Sequence, residues 1–465
     1  MRSDWRTVKL GEITDWSSGG TPSKSNPDFW NGDIPWISAS SMEGNRYCEA
    51  NHYISQEALK KSRLAPKGTI LLLVRGSILH QKIQVGITTK DVAFNQDVKC
   101  LSVNKPEVDP RFILYWLEGN RIKLLGLVEN TGIGAGKLDT KLVQNLDIHL
   151  PPKKERDSIT HIISSLDDKI ELNRQMNETL EAMAQTLFKN WFVDFDPVID
   201  KALAAGNEIP EPLQQRAQLR QQVPDEKKLI KTNPELVEAF PDRFTFTEEL
   251  GWIPEGWEVL ELRQLVSVVS KGTTPRKSEV IGLDDSVPFL KARDISDDGQ
   301  ISDELDCIPE EVHTSSLKRS ILETGDLLIT IAGTIGRVTE LPIHLDQSNC
   351  NQAIAFIRLK NKELMKNSIL MTLRSDLTTR FINEKIVQAV QANISLETVK
   401  SIPCCKPSNV LLKEWNKLID PLMDRKYAIA TENKSLNKIR DTLLPKLISG
   451  ELRVPEAEKL IADHV

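Results

Sequence analysis

Apolar positions along the chain follow two rhythms, and the switch from one to the other happens twice. In residues 1–150, and again in 257–407, short runs rich in Ile, Val and Leu alternate with Gly, Pro and Asn breaks, the pattern of strands closed by turns. Residues 70–74 and 327–331 read as buried strands, whereas 111–125 and 362–381 carry helical spacing. Each region is expected to be a compact α+β domain.

The second rhythm has apolar residues at steps of three and four: Ile159, Ile162, Leu166 and Ile170, then Leu180, Ala184, Leu187 and Trp191. It predicts a long helix over 158–191, about 50 Å at roughly 1.5 Å per residue, and a second over 411–447. A narrow apolar seam has to be covered by another helix, and each is expected to cover the other. Pairing through a local two-fold makes them antiparallel, with the α+β domains at opposite ends. Asn173, Asn177 and Asn433 fall on the seam, where a polar residue selects register or marks a solvated turn of an imperfect coil.

The two halves match in detail. Thr21-Pro22-Ser23-Lys24-Ser25 pairs with Thr274-Pro275-Arg276-Lys277-Ser278, and Ile34-Pro35-Trp36-Ile37 with Val287-Pro288-Phe289-Leu290, both at an offset of 253. Asn95-Gln96 pairs with Asn351-Gln352 at 256, and that offset then holds for Val143 with Val399, Pro151 with Pro407 and Asn177 with Asn433. A register that shifts only early and then stays fixed through two kinds of segment indicates a duplication. The expected organisation is a first recognition domain over 1–150, a helical region over 151–195, a connector with a little helix over 196–256, a second recognition domain over 257–407, a second helical region over 408–455 and a tail over 456–465.

Composition narrows the function. The net charge of -6 argues against nucleic-acid binding until it is divided: residues 1–150 carry 19 basic and 16 acidic groups, and the most acidic block, with 13 and 20, is 151–256. No apolar run approaches the roughly 18–20 residues of a membrane span, and the polar start lacks a signal peptide's apolar stretch, so a cytoplasmic protein without membrane contact is expected. Six cysteines include no Cys-x-x-Cys pair, and seven scattered histidines offer no metal-ligand spacing.

Catalytic motifs are lacking. Gly132-Ile133-Gly134-Ala135-Gly136-Lys137 resembles a phosphate loop, but Thr131 stands where glycine is needed and Leu138 where Ser or Thr is needed, so it reads as a turn. Pro151-Pro152 lacks the context of an amino-methyltransferase motif, and Asp225-Glu226-Lys227-Lys228 lies in the acidic connector. No catalytic, cofactor or metal site is expected in this chain.

Basic and amide groups recur instead in equivalent loops. The first half offers Lys24, Lys60, Lys61, Arg63 and Arg75, and the second Lys271, Arg276, Lys277, Lys291, Arg293, Lys318, Arg319 and Arg337. Lys and Arg neutralise phosphates, while Arg, Asn and Gln pair with base edges. Asn95, Gln96, Asn351 and Gln352 are candidates for the same contact, or for holding a turn through backbone bonds.

The order of these pieces resembles the specificity subunits of type I restriction-modification systems. The likeness covers essentially the whole chain and rests on Gly20-Thr21-Pro22, Thr273-Thr274-Pro275, Ile34-Pro35-Trp36-Ile37, the exit Pro151-Pro152-Lys153-Lys154-Glu155-Arg156, the helix end Leu187-Phe188-Lys189-Asn190-Trp191-Phe192 and the re-entry Gly251-Trp252-Ile253-Pro254-Glu255-Gly256-Trp257. Arg156 departs from the usual Glu-Gln after the Pro-Pro exit, and the connector is long. The resemblance implies a non-catalytic subunit with two α+β target-recognition domains separated by an antiparallel helix pair. Each domain would read one half of a bipartite double-stranded DNA site. Two methyltransferase subunits and restriction-translocase subunits would join it, and S-adenosylmethionine, ATP and Mg would belong to those partners. Phe188, Trp191, Phe192, Leu444, Leu447 and Ile448 are expected to form the methyltransferase-docking patches, with packing inside this chain an equally ordinary use of such residues. A duplicated protein-protein scaffold that never touches DNA is the rival reading.

Overall fold

A computed structural model describes residues 4–131, 134–280, 284–387 and 393–462, without the side chains of Ile230, Lys277, Asp285 and Val387. The chain folds as two units, one made of 1–177 with 428–465 and the other of 178–427.

In the first unit a five-stranded sheet runs in the order Thr14–Ser18, Val98–Val103, Ile70–Leu73, Val85–Thr88 and Arg46–Tyr47. Its neighbours are antiparallel except for the last pair. A four-stranded sheet, Tyr53–Ile54, Ile34–Ile37, Val92–Phe94 and Leu64–Ala65, carries a parallel pair at its centre. Strands Arg6–Lys9 and Asp147–Leu150 close the unit where it meets the first long helix. The second unit repeats the plan with Val266–Lys271, Ile354–Leu359, Leu327–Thr330 and Val338–Glu340 in one sheet, and the parallel pair Asp285–Leu290 with Asn349–Cys350 in another. Strands Glu258–Glu261 and Pro403–Lys406 close it.

The long helices are Lys153–Phe192 and Asn409–Ser449, somewhat longer than the apolar period alone defines. They pair antiparallel, and each half pair belongs to the core of one unit. In the first unit Ile159, Ile162, Ile163 and Leu166 share a core with Leu436, Leu443, Leu444, Leu447 and Ile448, and with Phe112 to Leu117 of the recognition domain. In the second, Phe188, Trp191 and Phe192 surround the fully buried Trp415, with ring centroids 6.0, 5.5 and 5.0 Å away. The apolar residues that close each recognition core lie on the helices, which therefore complete the domains as well as linking them.

The six residues proposed for methyltransferase docking are corrected by this packing. Phe188, Trp191, Phe192, Leu444, Leu447 and Ile448 are all at most 7% exposed and lie inside the cores. Helix spacing placed them on an apolar face, and the chain itself covers that face. The large apolar side chains the helices leave exposed are Leu172, Met183, Val410 and Leu418.

Two further expectations change. The connector is folded: helices Asp196–Ala205 and Gln214–Gln221 are clamped by Arg216 on Asp196, at 2.7 and 2.8 Å, and by Arg220 on Asp200. Ile199, Ala202, Ile209 and Ala217 form a small core of their own, and Phe244–Thr247 pairs with Gly251–Pro254 as a hairpin. The tail forms the helix Val454–Ala462, whose Ala457 is buried in the first unit's core.

Polar groups on the seam are paired specifically. Asn173 donates to Asn433 Oδ1 and Glu432 Oε2, each at 2.9 Å, while Asn433 donates to the Ile170 carbonyl at 3.3 Å. These bonds are what a register-selecting pair would make, whereas the buried Oδ1 of Asn177 has no hydrogen-bond partner. Nearby in the first unit, Asp167 receives Tyr115 Oη at 3.0 Å, Arg440 at 3.1 Å and Asn45 at 3.2 Å. In the second unit Glu181 meets Arg374 and Lys426, both at 2.6 Å. Burial alone would raise the Glu181 carboxyl, but those two cations outweigh it and hold it down at about 2.

Glu118 has the opposite fate. Burial pushes its carboxyl from the ordinary 4.5 up to about 7, against the pull of Arg121 at 3.1 Å and with a push from Asp167. A carboxyl raised on folding binds its proton more tightly in the native state. Its contribution is fully present below about pH 4.5 and is lost as pH rises through about 7. Glu118→Gln should therefore match the parent chain near pH 5 and exceed it by about 1–3 kcal/mol near pH 8. Urea unfolding at the two pH values measures this, and an equal difference at both contradicts it.

Candidate nucleic-acid interface

The parallel strand pair in each unit organises the candidate residues. In the first, Ala93 lies beside Trp36 and Phe94 beside Ile37, so both strands end together. Asn95 follows at once. Its backbone N–H donates to the Ile37 carbonyl at 3.0 Å, and its side-chain oxygen accepts from Asp97 and Val98 N–H at 3.1 and 3.2 Å. That local bonding makes a tight turn and leaves Gln96 exposed at its tip.

The Gly-Thr-Pro loop lies directly on this strand end. Gly20 N–H donates to the Phe94 carbonyl at 3.0 Å, and a Cβ on Gly19 would sit 1.9 Å from the same oxygen, so only glycine fits. Thr21 Oγ1 then donates to Gln96 Oε1 at 2.7 Å. Ser62 Oγ reaches the Phe94 carbonyl at 3.0 Å, and a Cβ on Gly20 would come within 2.4 Å of the Lys61 carbonyl. These contacts bring the basic turn to the loop. Lys24, Lys60, Lys61, Arg63 and Gln96, distant in sequence, are thus exposed around one strand end. Arg75 is exposed on a neighbouring strand, next to Val74, whose N–H bonds Asp97 O at 2.8 Å.

The second unit builds the same junction. Leu290 lies beside Cys350, and Asn351 N–H donates to the Leu290 carbonyl at 2.9 Å while its side chain accepts from Ala353 N–H at 3.1 Å. Thr273 N–H donates to the Cys350 carbonyl at 3.1 Å, a Cβ on Gly272 would lie 1.9 Å from it, and Thr274 Oγ1 donates to Gln352 Oε1. Thr273 stands where the first unit has Gly20. Here Asn349 Nδ2 donating to the Leu317 carbonyl at 3.1 Å tethers the basic turn that carries the exposed Lys318 and Arg319. Burial pushes the Cys350 thiol up to about 12, so it is an inert core group.

The candidates separate into free and engaged groups. Lys271 and Arg276 are exposed beside the second loop, whereas the side chain of Lys277 and the residues Gly132 and Ile133 lie outside the described residues. Lys291 and Arg293 both pair with Asp306, whose carboxyl is lowered by the bond from Lys291. A DNA contact by either must compete with that carboxylate. Arg337 binds Asp297 at 2.6 Å and the Ile295 carbonyl at 2.7 Å, and so is a structural tie rather than a free recognition group. Asn95 and Asn351 both hold turns through their side-chain oxygens, the second of the two uses their sequence context allows. The partners of the two glutamines, Thr21 and Thr274, were missed as site residues, although their recurrence at an offset of 253 was the available signal. Among the described residues no group of three or more His, Cys, Asp or Glu is placed to hold a metal ion, and no helix is long and apolar enough to cross a membrane.

Comparison with known proteins decides the family. The type I restriction modification DNA specificity domain matches residues 2–182 and again 254–439. The chain belongs to this family. Among curated members, the type I restriction enzyme MjaIX specificity subunit of Methanocaldococcus jannaschii is 25% identical over 97% of this chain and 94% of its own length. The HindI specificity subunit of Haemophilus influenzae is 26% identical over 97% of this chain and all of its own. The crystal structure of a type I restriction-modification S subunit from M. genitalium shares the fold, with a TM-score of 0.50 at 17% identity over 95% of this chain and 96% of that one. The two family matches contain the two junctions, and the chain is a type I specificity subunit with two target-recognition domains.

In both domains the glycine at the strand end is sterically required. Gly19→Ala and Gly272→Ala should each cost about 1–3 kcal/mol, because the loop must lift off the carbonyl beneath it. Thermal unfolding of the variants measures the loss, and unchanged stability in both would contradict the close approach.

Proposed function

We propose that this chain is the non-catalytic DNA-reading subunit of a type I restriction-modification complex. Each target-recognition domain reads one half of a bipartite, asymmetric duplex site, and the paired helices fix the spacer between the halves. The observation that carries this reading is that one exposed junction is built twice from the same backbone bonds, each time beside a basic turn whose side chains are only partly the same. Lys60, Lys61 and Arg63 flank it in the first domain, and Lys318, Arg319 and Arg276 in the second. Like frames whose side chains differ in part, as Arg63 and Ile321 do, suit two different half-sites.

Methyltransferase subunits supply catalysis and translocase-nuclease subunits complete the enzyme, with S-adenosylmethionine, ATP and Mg bound there. A cytoplasmic location, with access to the chromosome, goes with that role. The interface contains cations on exposed loops, so binding must weaken with salt as condensed counterions return to the duplex.

Mobility-shift titration of the chain co-expressed with its methyltransferase partner, at several salt concentrations, tests the reading. A steep fall of affinity with salt and a preference for one bipartite sequence are expected, and absence of any salt-dependent shift rejects it. Exchanging residues 1–150 for another member's first domain should change one half-site alone, and a change in both would refute the modular assignment. Matched insertions of equal length beside Asn173 and Asn433, which keep that pair in register, should lengthen the spacer and preserve both half-sites. Mapping methylated adenines in host DNA checks both outcomes.

A further inference from the structure

The glutamines at the two turn tips share a feature that their basic neighbours do not. Gln96 and Gln352 each have the carbonyl oxygen occupied by a threonine hydroxyl, Thr21 in one domain and Thr274 in the other. The amide NH2 keeps both its donors, and the bond from the threonine fixes which way the amide is turned. Both residues are exposed, and both turns are held by an asparagine whose backbone and side chain are already bonded. The donors are therefore fixed in direction before any ligand arrives.

We propose that Gln96 and Gln352 are phosphate-binding residues that seat each target-recognition domain on the duplex without reading bases, with Thr21 and Thr274 as their positioning residues. This rests on the DNA-reading role proposed above. A tip offering an oriented pair of N–H donors, flanked by Lys24, Lys60, Lys61 and Arg63 in one domain and by Lys271, Arg276, Lys318 and Arg319 in the other, fits an anionic acceptor. Base edges also present acceptors, but they differ between two unlike half-sites, and the sugar-phosphate chain does not. The threonine, the glutamine and the bond between them are the same in both domains, whereas the charges around them are shared only in part: Lys24 and Lys60 recur as Lys277 and Lys318, while Arg63 and Lys271 have Ile321 and Ser18 as counterparts. Identical chemistry in both copies matches the part of DNA that is identical in both halves.

The test uses the full chain co-expressed with its methyltransferase partner, a labelled cognate duplex and a duplex with both half-sites scrambled. Gln96→Glu is the decisive variant. It keeps an oxygen for the Thr21 hydroxyl, so the turn stays closed, but it replaces the donors with a carboxylate. Affinity for cognate and scrambled duplexes should fall by the same factor, about tenfold, leaving their ratio unchanged. Thr21→Val should weaken both duplexes in parallel, and Thr21→Ser should restore them. A neutral methylphosphonate walked along each strand should find a linkage at which the Gln96→Glu penalty disappears.

Unchanged binding by Gln96→Glu would show that the bond merely closes a loop, and a changed cognate-to-scrambled ratio would make Gln96 a base reader. Either result overturns the proposal while the DNA-reading role stands. If the parent complex binds neither duplex, the functional reading itself has failed.

Discussion

The structure depends on the burial of two helix faces that no single domain could cover by itself. Each long helix contributes one half to each unit: Ile159 to Leu166 with Leu436 to Ile448 in the first, and Phe188 to Phe192 with Trp415 in the second. A buried Trp or Phe lost to Ala costs about 3–5 kcal/mol, so a recognition domain deprived of this seam would lose a large part of an ordinary domain's stability. The helices are at once the link between the domains and the completion of their cores.

Polar groups inside the seam give this packing its register. Asn173 and Asn433 bond each other, Asp167 pairs with Arg440, and Glu181 pairs with Arg374 and Lys426. Buried ionic groups of this kind contribute little net stability but penalise any arrangement that separates the partners. The two units solve the problem differently. The first keeps Glu118 in a site that raises its carboxyl to about 7, and the second holds Glu181 down at about 2 with Arg374 and Lys426. Duplication has preserved the apolar frame and let the polar pairing drift.

At the interface the preserved and the diverged parts are reversed in space. Backbone bonds at the strand end, the close glycine and the threonine-glutamine bond are the same in both domains. The exposed cations around them are shared only in part, Lys60-Lys61 being answered by Lys318-Arg319 but Arg63 by Ile321. A frame that repeats while its outward chemistry varies suits a molecule that must grip one polymer twice and read it differently each time.

The duplication, the two rhythms of apolar residues and the long helices were all legible in the sequence, because each is a local periodicity or a repeated string. The basic loops were legible for the same reason, as was the family resemblance they supported. Tertiary structure alone decided which of those groups are free. Arg337 is taken by Asp297, Lys291 and Arg293 by Asp306, and the six apolar residues read as a docking patch are filled by the chain's own core. It alone showed the connector to be folded, through arginine-aspartate pairs 20 residues apart. Periodicity records which face of an element is apolar or charged. What covers that face depends on contacts between residues far apart in the chain, and no local pattern encodes them.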